Sequence, residues 1–258
     1  MKKFIQSTKL YHSYKIRKIS RKTQKWGPDD DNHFAFYSKF IKLNDLCFDI
    51  GANIGNRTKI FHKIVGPKGK VVAVEPQNYC MEILKKTFGK EQNIHLINKA
   101  LGEKPGEAEI AISNETTLSS MSKDWMKSVK KSKRFGTEAE WDTTQKVSVT
   151  TLDTLIETFG APSFIKIDVE GFEKEVVLGL SRPITTCFSL EFTPEFLAST
   201  FDCLDYLKKL GPIQCNYSIG ESLSLKLSAW VSENEIKHAL MNYKNDIQSF
   251  GDVYIRLN

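Results

Sequence analysis

The chain has 258 residues, of which 40% are hydrophobic and 26% are charged. This composition is ordinary for a globular protein that buries a core. No apolar run approaches the roughly 20 residues that a membrane-spanning helix needs. No uninterrupted apolar segment follows the basic N-terminus, so the sequence predicts neither a transmembrane span nor a cleaved signal peptide.

The net charge of +6 is concentrated near the N-terminus. Residues 1–28 hold nine of the 37 Lys and Arg and none of the 31 Asp and Glu, so the rest of the chain is mildly acidic. Such a leader could make weak contact with an anionic membrane or with nucleic acid, or it could simply be solvated. The five cysteines are scattered and never spaced as CxxC, which favours reduced thiols and a cytoplasmic location.

Short β-branched runs alternate with helical patterns along the chain. This alternation predicts an α/β domain with a mostly parallel sheet and helices on both faces. The predicted strands are, in chain order, 46–50, 70–75, 93–98, 108–113, one starting at 147, 163–168, 186–192, 213–218 and 252–257. The predicted helices are 54–65, 76–88, one ending near 160, and 200–210.

Residues 114–146 interrupt this alternation. The segment is rich in Ser, Thr and Lys, and it carries Trp125, Phe135 and Trp141. We expect an insertion with some helix that lies over the domain and, together with the segment around His33, covers the acceptor pocket.

The first predicted strand ends in DIGANIG, which contains Asp49, Gly51, Asn53 and Gly55. A glycine directly after a strand lets the chain turn with no Cβ beside a ligand, and the second glycine would let the next helix pack close to the strand. The N–H groups that begin this helix are donors for an anionic group. Asp49 suits a cofactor that carries an ammonium group, although it could instead only cap the turn.

Two other nucleotide-binding motifs do not match this turn. A GxGxxG motif starting at Gly51 would require glycines at positions 53 and 56, and both are Asn. The phosphate-binding GxxxxGK[ST] motif is absent. The missing glycines disfavour an NAD-dependent oxidoreductase.

The next two strand ends carry chemistry that fits a nucleoside. Glu75 ends the second strand, 24 residues after Gly51, where it could accept hydrogen bonds from both ribose hydroxyls or could be a solvated strand-end acid. The third strand ends in NKALG, in which Asn98, Ala100 and Leu101 are candidate cofactor contacts. Ala100 and Leu101 could form an apolar wall for an adenine ring, although each could also be an ordinary packing residue.

The segment SFIKIDVEGFE contains the fourth core strand. Strand alternation places Phe164, Lys166 and Asp168 on one face and Ile165 and Ile167 on the other. A lysine in a central strand is unusual, and we expect Lys166 to pair with a neighbouring acid.

Three carboxylates are predicted at the carboxyl edge of the sheet: Asp168 at a strand end, Glu170 in the following turn, and Glu191 at the end of the next strand. If they converge, they could act as a general base or hold one hard divalent ion such as Mg²⁺. Alternatively, Asp168 only orients an ammonium group and Glu170 caps the next helix.

The five histidines show no HxH, HExxH or Cys/His spacing, so no histidine metal site is predicted. Each is expected to be structural. His33 is the exception, because it precedes the first strand in a segment that could fold over the pocket.

Taken together, FDIGANIGNRT (48–58), AVEP (73–76), NKALGEKPGEAEI (98–110), TTLDTL (150–155), IKIDVEGFEKEVVLG (165–179) and SLEF (189–192) resemble the FkbM family of methyltransferases. The resemblance implies a class I, Rossmann-like fold with a seven-stranded sheet and S-adenosylmethionine as methyl donor. It also implies cofactor contacts at Asp49, Gly51, Asn53, Gly55, Glu75 and the Ala100–Leu101 turn.

The resemblance further implies O-methylation of a hydroxyl on a small-molecule acceptor, for example a saccharide, a glycolipid or a related natural product. It covers roughly residues 44–192, so the acceptor itself cannot be carried over. We expect a basic leader and lid segment over 1–43 and a methyltransferase domain over 44–258.

Two other functions remain open. An RNA-directed methyltransferase is favoured by the basic leader and by the Lys-rich stretch 123–134, but the DVEG sequence after the fourth strand lacks the [DN]PP[YF] segment typical of enzymes that methylate base amines. A non-catalytic module that binds RNA or a membrane could keep the same fold. The intact acids at positions 49, 75 and 168 argue against it.

Overall fold

A computed structural model describes residues 9–113, 116–132, 134 and 140–258. Phe135, which the sequence analysis placed in the insertion, lies outside the described residues, as does the start of the basic leader at 1–8. None of the helices formed by the described residues is both long and apolar enough to cross a membrane.

The main sheet has seven strands, each within one residue of its predicted bounds. They are β1 (Leu46–Ile50), β2 (Lys70–Val74), β3 (Ile94–Ile97), β7 (Phe164–Ile167), β8 (Thr186–Phe192), β9 (Ile213–Ile219) and β10 (Gly251–Leu257). Their order across the sheet is β3-β2-β1-β7-β8-β10-β9. The pairs are parallel except for those of β10, which runs antiparallel to β8 and β9.

This order places a topological switch point beside β1. The chain moves outward from β1 to β2 and β3 and then returns to β7 on the other side of β1. In an open α/β sheet, ligands bind at such a point, next to the carboxyl ends of the strands. The fold therefore predicts a ligand-binding site at the carboxyl ends of β1, β2 and β7.

A smaller sheet accompanies the main one. It consists of β4 (Ala100–Leu101), β5 (Gly106–Ile112) and β6 (Thr143–Thr150), in the order β4-β6-β5. The strand predicted at 108–113 is thus present as β5, but it belongs to this second sheet. Residues 143–146, which we had assigned to the insertion, belong to β6.

The helices cover both faces of the main sheet, as predicted. They are α1 (Lys9–Gln24), α2 (Pro28–Tyr37), α3 (Asn56–Val65), α4 (Asn78–Phe88), α5 (Lys123–Ser132), α6 (Leu152–Phe159), α7 (Glu173–Leu178), α8 (Leu197–Leu210) and α9 (Glu233–Met241). The sequence analysis did not predict α1, α2 or α9.

Strand alternation sorts the core into two halves. Ile165 and Ile167 of β7 pack with residues of α6, α7, α8 and α9, while Phe164 faces the opposite side with α2, α3 and α4. The first helix packs against α4, where Ile16 of α1 is buried. Both faces of the central strands are therefore covered, which is why β1 and β2 read as nearly continuous apolar runs.

Candidate functional site

A cavity of about 300 Å³ opens at the carboxyl ends of β1, β2 and β7. This volume lies at the lower end of the range for small-molecule sites. Its walls come from residues 49–54, 56–57, 74–77, 99–101, 166, 168–170 and 172, together with several residues of 110–121. The cavity therefore occupies the switch point that the strand order defines.

The turn after β1 approaches the end of β7 closely. Gly51 has a φ of 83°, and a Cβ at this position would overlap the carbonyl oxygen of Asp168. The sequence analysis expected a Cβ here to enter the cofactor pocket. The structure corrects the reason, because Gly51 is needed where the backbones of two neighbouring strand ends meet.

Gly55 also has a role that differs from the predicted one. It is the N-cap of α3 with a φ of 93°, and a Cβ there would overlap the Phe88 side chain and crowd Leu84, both on α4. The glycine thus allows α3 to pack against another helix, whereas we had expected packing against the strand. Gly55 does not line the cavity, although Gly51 and Asn53 do.

Asp49 lies at the base of the cavity and is only 1% exposed. The Thr58 hydroxyl donates a hydrogen bond of 2.5 Å to its Oδ2 atom. Burial raises the pKa of Asp49, and the bond from Thr58 partly opposes this effect. Asp49 is therefore a buried acceptor beside the turn, where a cationic ligand group would stabilise its charged form.

The Glu75 carboxylate is fixed by backbone N–H groups from the turn after β1 and from the residues that follow β2. Its Oε2 accepts a 2.8 Å bond from the Asn53 N–H, and its Oε1 accepts a 2.8 Å bond from the Gln77 N–H. Asn53 reaches this position with a φ of 48°. Burial raises the pKa of Glu75 to about 7 in spite of these two bonds. Each oxygen keeps a second lone pair that could accept a ribose hydroxyl.

We expect Glu75→Ala to weaken S-adenosylmethionine binding by about 2–3 kcal/mol, the loss typical of hydrogen bonds to a charged group. Glu75→Gln should also weaken binding, because either orientation of the amide turns its NH₂ toward one of the two backbone N–H groups. Since the pKa of Glu75 is about 7, wild-type affinity should rise about tenfold from roughly pH 6 to pH 8 as the carboxylate ionises. Titration calorimetry of the three proteins tests this, and an unchanged pH profile in both folded variants would remove Glu75 from the site.

Among the third-strand candidates, Ala100 and Leu101 line the cavity and are buried. Asn98 does not line it. Its Nδ2 atom donates to the backbone carbonyls of Glu75 and Pro76, at 2.9 Å and 3.1 Å. Asn98 therefore fixes the end of β2, and a direct cofactor contact from it stays a prediction.

Several cavity residues were missed by the sequence analysis. Among them are Gln77, Thr116, Ser119 and Met121. Gln77 Nε2 donates to the Thr116 carbonyl at 3.0 Å, which ties the start of the insertion to the end of β2. No sequence motif marks these side chains, because the contact joins segments 39 residues apart.

Arg57, in the first turn of α3, is a further cavity residue that was missed. Its Nη2 donates to Glu221 Oε2 at 2.8 Å, and His33 Nε2 lies 3.5 Å from the same oxygen. The His33 ring and the Arg57 guanidinium lower the pKa of Glu221 to about 2. No residue of α2 lines the cavity formed by the described residues, and His33 is linked to it through Glu221 and Arg57.

Lys166 pairs with acids, as predicted. Its Nζ donates to Asp168 Oδ2 at 2.8 Å and lies 4.0 Å from Asp252 Oδ1. These two carboxylates raise the pKa of the buried Lys166 ammonium well above its usual value, despite the opposing effect of burial. The ion pair holds the Asp168 carboxylate at the end of β7, on the wall of the cavity.

The structure brings Asp168, Glu170 and Glu191 together, with one carboxylate oxygen of each lying within 4.8 Å of the others. Burial, together with the Glu191 and Asp168 carboxylates, raises the pKa of Glu170 well above its usual value. Burial and the Asp168 and Glu173 carboxylates do the same for Glu191. Such raised values favour a proton bound within the group.

A fourth acid, Glu173, shapes the turn that carries Glu170. Its Oε1 accepts hydrogen bonds from the N–H groups of Val169 and Gly171, at 3.1 Å and 3.2 Å. Glu170 and Gly171 both have positive φ angles, 54° and 85°. The alternative in which Glu170 caps the next helix is wrong, because the N-cap of α7 is Phe172 and has no side-chain cap bond.

The insertion lies beside this turn. Trp125 of α5 is 2% exposed and packs on Gly171, where any Cβ would overlap the indole ring. Arg134 forms two hydrogen bonds, of 2.7 Å and 2.6 Å, with Glu195 just after β8. The described part of the insertion is thereby anchored over the carboxyl ends of β7 and β8.

The topology and the cavity together define a class I methyltransferase fold. The sheet has parallel strands in this order with an antiparallel β10 between β8 and β9. An acid lies at or next to the carboxyl end of each of β1, β2 and β7, and these three acids line the cavity at the switch point. The residues present fit an aminoacyl nucleoside: Asp49 for an ammonium group, the start of α3 for a carboxylate, Glu75 for a ribose and Ala100–Leu101 for a base.

The chain belongs to the FkbM family, because the sequence profile of the methyltransferase FkbM domain matches residues 49–218. It is an S-adenosylmethionine-dependent methyltransferase. The match confirms the predicted family and extends past residue 192, where the quoted motifs ended. No curated protein matches the chain significantly.

Solved structures with a similar shape include three methyltransferases. An O-methyltransferase from Bacillus cereus in complex with SAH has 10% identity and a TM-score of 0.48, with 99% of this chain and 96% of that chain covered. A putative O-methyltransferase from Klebsiella pneumoniae has 9% identity and a TM-score of 0.47, with 95% and 88% covered. Methyltransferase FkbM from Methylobacillus flagellatus has 12% identity and a TM-score of 0.44, with 93% and 57% covered. All three similarities are loose, so the assignment rests on the family match and on the topology.

Proposed function

We propose that the enzyme methylates a hydroxyl group on a saccharide or a related natural product. The observation that carries this proposal is the convergence of Asp168, Glu170 and Glu191 beside the cofactor cavity. S-adenosylmethionine supplies an electrophilic methyl group on a sulfonium, from which an acceptor oxygen can displace a neutral thioether. An alcohol is a poor nucleophile at neutral pH unless its proton is removed as it reacts.

The cluster of Asp168, Glu170 and Glu191 can take up the proton that the acceptor hydroxyl loses. Asp168 and Glu170 both line the cavity, and Asp168 is the one that is ion-paired with Lys166 at the end of β7. The pKa values of Glu170 and Glu191 are raised by burial and by neighbouring carboxylates, which favours binding of a proton by these acids. We assign Asp168 as the primary base, with Glu170 and Glu191 as partners that share the proton.

The insertion beside the three carboxylates favours a reaction that is shielded from water. Trp125 and the Arg134–Glu195 pair hold the insertion against the ends of β7 and β8. Exclusion of water and fixed positions are the main contributions that a protein can make to an in-line methyl transfer. We propose that the insertion forms the lid of the acceptor site, with Trp125 over the turn that carries Glu170.

A divalent ion such as Mg²⁺ is the alternative use of these carboxylates, since a hard cation prefers oxygen ligands. The Lys166 ammonium already bonds to Asp168 Oδ2, which supplies a cation without a metal. We therefore expect methyl transfer to survive treatment with a chelator. Loss of activity that magnesium restores would instead support a metal bound by Asp168, Glu170 and Glu191.

The acceptor class can be tested with labelled S-adenosylmethionine and a fractionated cell extract. Periodate cleaves vicinal diols, so pretreating the extract with periodate should abolish labelling if the acceptor is a saccharide. Excess periodate is quenched before S-adenosylmethionine is added, because the ribose of the cofactor is itself a vicinal diol. Extract that receives periodate quenched beforehand serves as the control. Undiminished labelling after active periodate would contradict a diol-bearing saccharide, and label found in RNA would support the RNA-directed alternative.

A further inference from the structure

Helix α1 and the residue after it carry a dense positive charge. Seven Lys and Arg are exposed there and no acid is present between residues 9 and 28: Lys9, Lys15, Arg17, Lys18, Arg21, Lys22 and Lys25. The three acids that follow, at 29–31, are partly engaged elsewhere. Asp30 pairs with Lys59, and Asp31 accepts a hydrogen bond from Trp26.

The helix is fixed to the body of the protein along its inner side. Ile16, Ser20 and Thr23 are buried. Gln24 Nε2 donates to the Thr87 carbonyl at 3.0 Å. Because these contacts run along one side of the helix, its opposite side is held outward in a defined orientation.

The outward side is amphiphilic as well as basic. Leu10 is 84% exposed and Tyr14 is 59% exposed. At 100° per residue, these two share a face with Lys18 and Arg21, opposite the buried Ile16 and Thr23. We call Leu10, Tyr14, Lys18, Arg21 and Lys22 the basic face. Large apolar side chains flanked by cations are typical of helices that lie in the plane of a membrane interface.

We propose that the basic face binds the surface of an anionic lipid bilayer. The cations complement lipid phosphates and carboxylates, while Leu10 and Tyr14 enter the headgroup region. A nucleic acid fits less well, because single-strand binding relies on several aromatic platforms and this face offers one. The exposed Leu10 also has no role in phosphate contact. The proposal is independent of the acceptor's identity.

Vesicle sedimentation of the full chain tests this. Wild-type protein should bind vesicles of phosphatidylcholine with phosphatidylserine, should not bind phosphatidylcholine alone, and should be released as salt rises. Each cation near an anionic surface contributes roughly fivefold to binding. The variant K18Q/R21Q/K22Q should therefore bind more than about 50-fold more weakly.

A matched control changes the net charge equally at exposed lysines outside α1. K68Q/K209Q/K244Q replaces three exposed lysines outside α1 and should bind vesicles like wild type. L10S/Y14S should weaken vesicle binding while leaving any RNA binding unchanged. S-adenosylmethionine affinity should be the same in all variants, which verifies their fold.

Three results would overturn the proposal. The first is no wild-type binding to phosphatidylserine vesicles at about 0.15 M salt. The second is equal loss of binding in the K68Q/K209Q/K244Q control. The third is tighter binding to homopolymeric RNA than to vesicles, with L10S/Y14S without effect on either, which would assign the basic face to nucleic acid.

Discussion

Asp168→Asn should lower the rate of methyl transfer by about 10²–10⁴-fold at saturating S-adenosylmethionine, the usual contribution of a general base. The amide keeps the shape of the side chain and its place beside Glu170 and Glu191, but it cannot accept the proton. Cofactor affinity should change far less than the rate. Initial rates with a fixed amount of acceptor extract, together with calorimetry, measure both quantities.

Asp202→Asn is the matched control, because Asp202 also pairs with a lysine at 2.7 Å but lies on the exposed surface of α8. It should leave the rate unchanged. If Asp168→Asn weakens cofactor binding and leaves turnover normal, Asp168 is only a partner of the ammonium group. Normal binding and normal turnover would remove Asp168 from the site.

Gly51→Val should reduce the free energy of unfolding by about 4 kcal/mol or more, the range of the most damaging substitutions. The new Cβ would overlap the Asp168 carbonyl, and a β-branched residue strongly disfavours the φ of 83°. The two central strand ends would be forced apart, because neither backbone can rotate away. Urea denaturation of the purified variant measures the loss.

Gly106→Val makes the same chemical change where it should be tolerated. A Cβ at Gly106 meets no atom within 4 Å, and the residue lies at the start of β5. Its stability should stay within about 0.5 kcal/mol of wild type. Equal stability of the two variants would show that the close approach at Gly51 is not required.

The sheet and the position of the site were predictable because both depend on local patterns. Strand alternation assigns Lys166 and Asp168 to one face, and parallel strands place their carboxyl ends at one edge. The placement of Asp168 and Glu191 at one edge follows from that geometry, whereas the position of Glu170 depends also on the turn after β7.

The features that were missed depend on contacts between distant segments or on the conformation of a turn. The Arg57–Glu221 pair joins residues 164 positions apart. Glu173 reaches back to the N–H groups of Val169 and Gly171 only because Glu170 and Gly171 adopt positive φ angles. Periodicity carries no information about either arrangement. It also did not predict α1, because most residues of this helix are polar although one side packs against α4.

The sequence also did not reveal why glycine is required at positions 51 and 55. A glycine after a strand suggested room for a ligand, yet Gly51 is constrained by the Asp168 carbonyl and Gly55 by Phe88. The motif was identified correctly, but its physical cause lies in backbone and helix packing that only the folded chain shows.

The central claim is transfer of a methyl group to oxygen, and the linkage in the product tests it most directly. The enzyme is incubated with S-adenosylmethionine carrying a ¹³C-methyl group and with acceptor extract, and the labelled product is purified and examined by NMR. We predict that the methyl carbon resonates and couples as an O-methyl group, and that this signal is lost with Asp168→Asn. A methyl carbon bonded to nitrogen, carbon or sulfur would contradict the account.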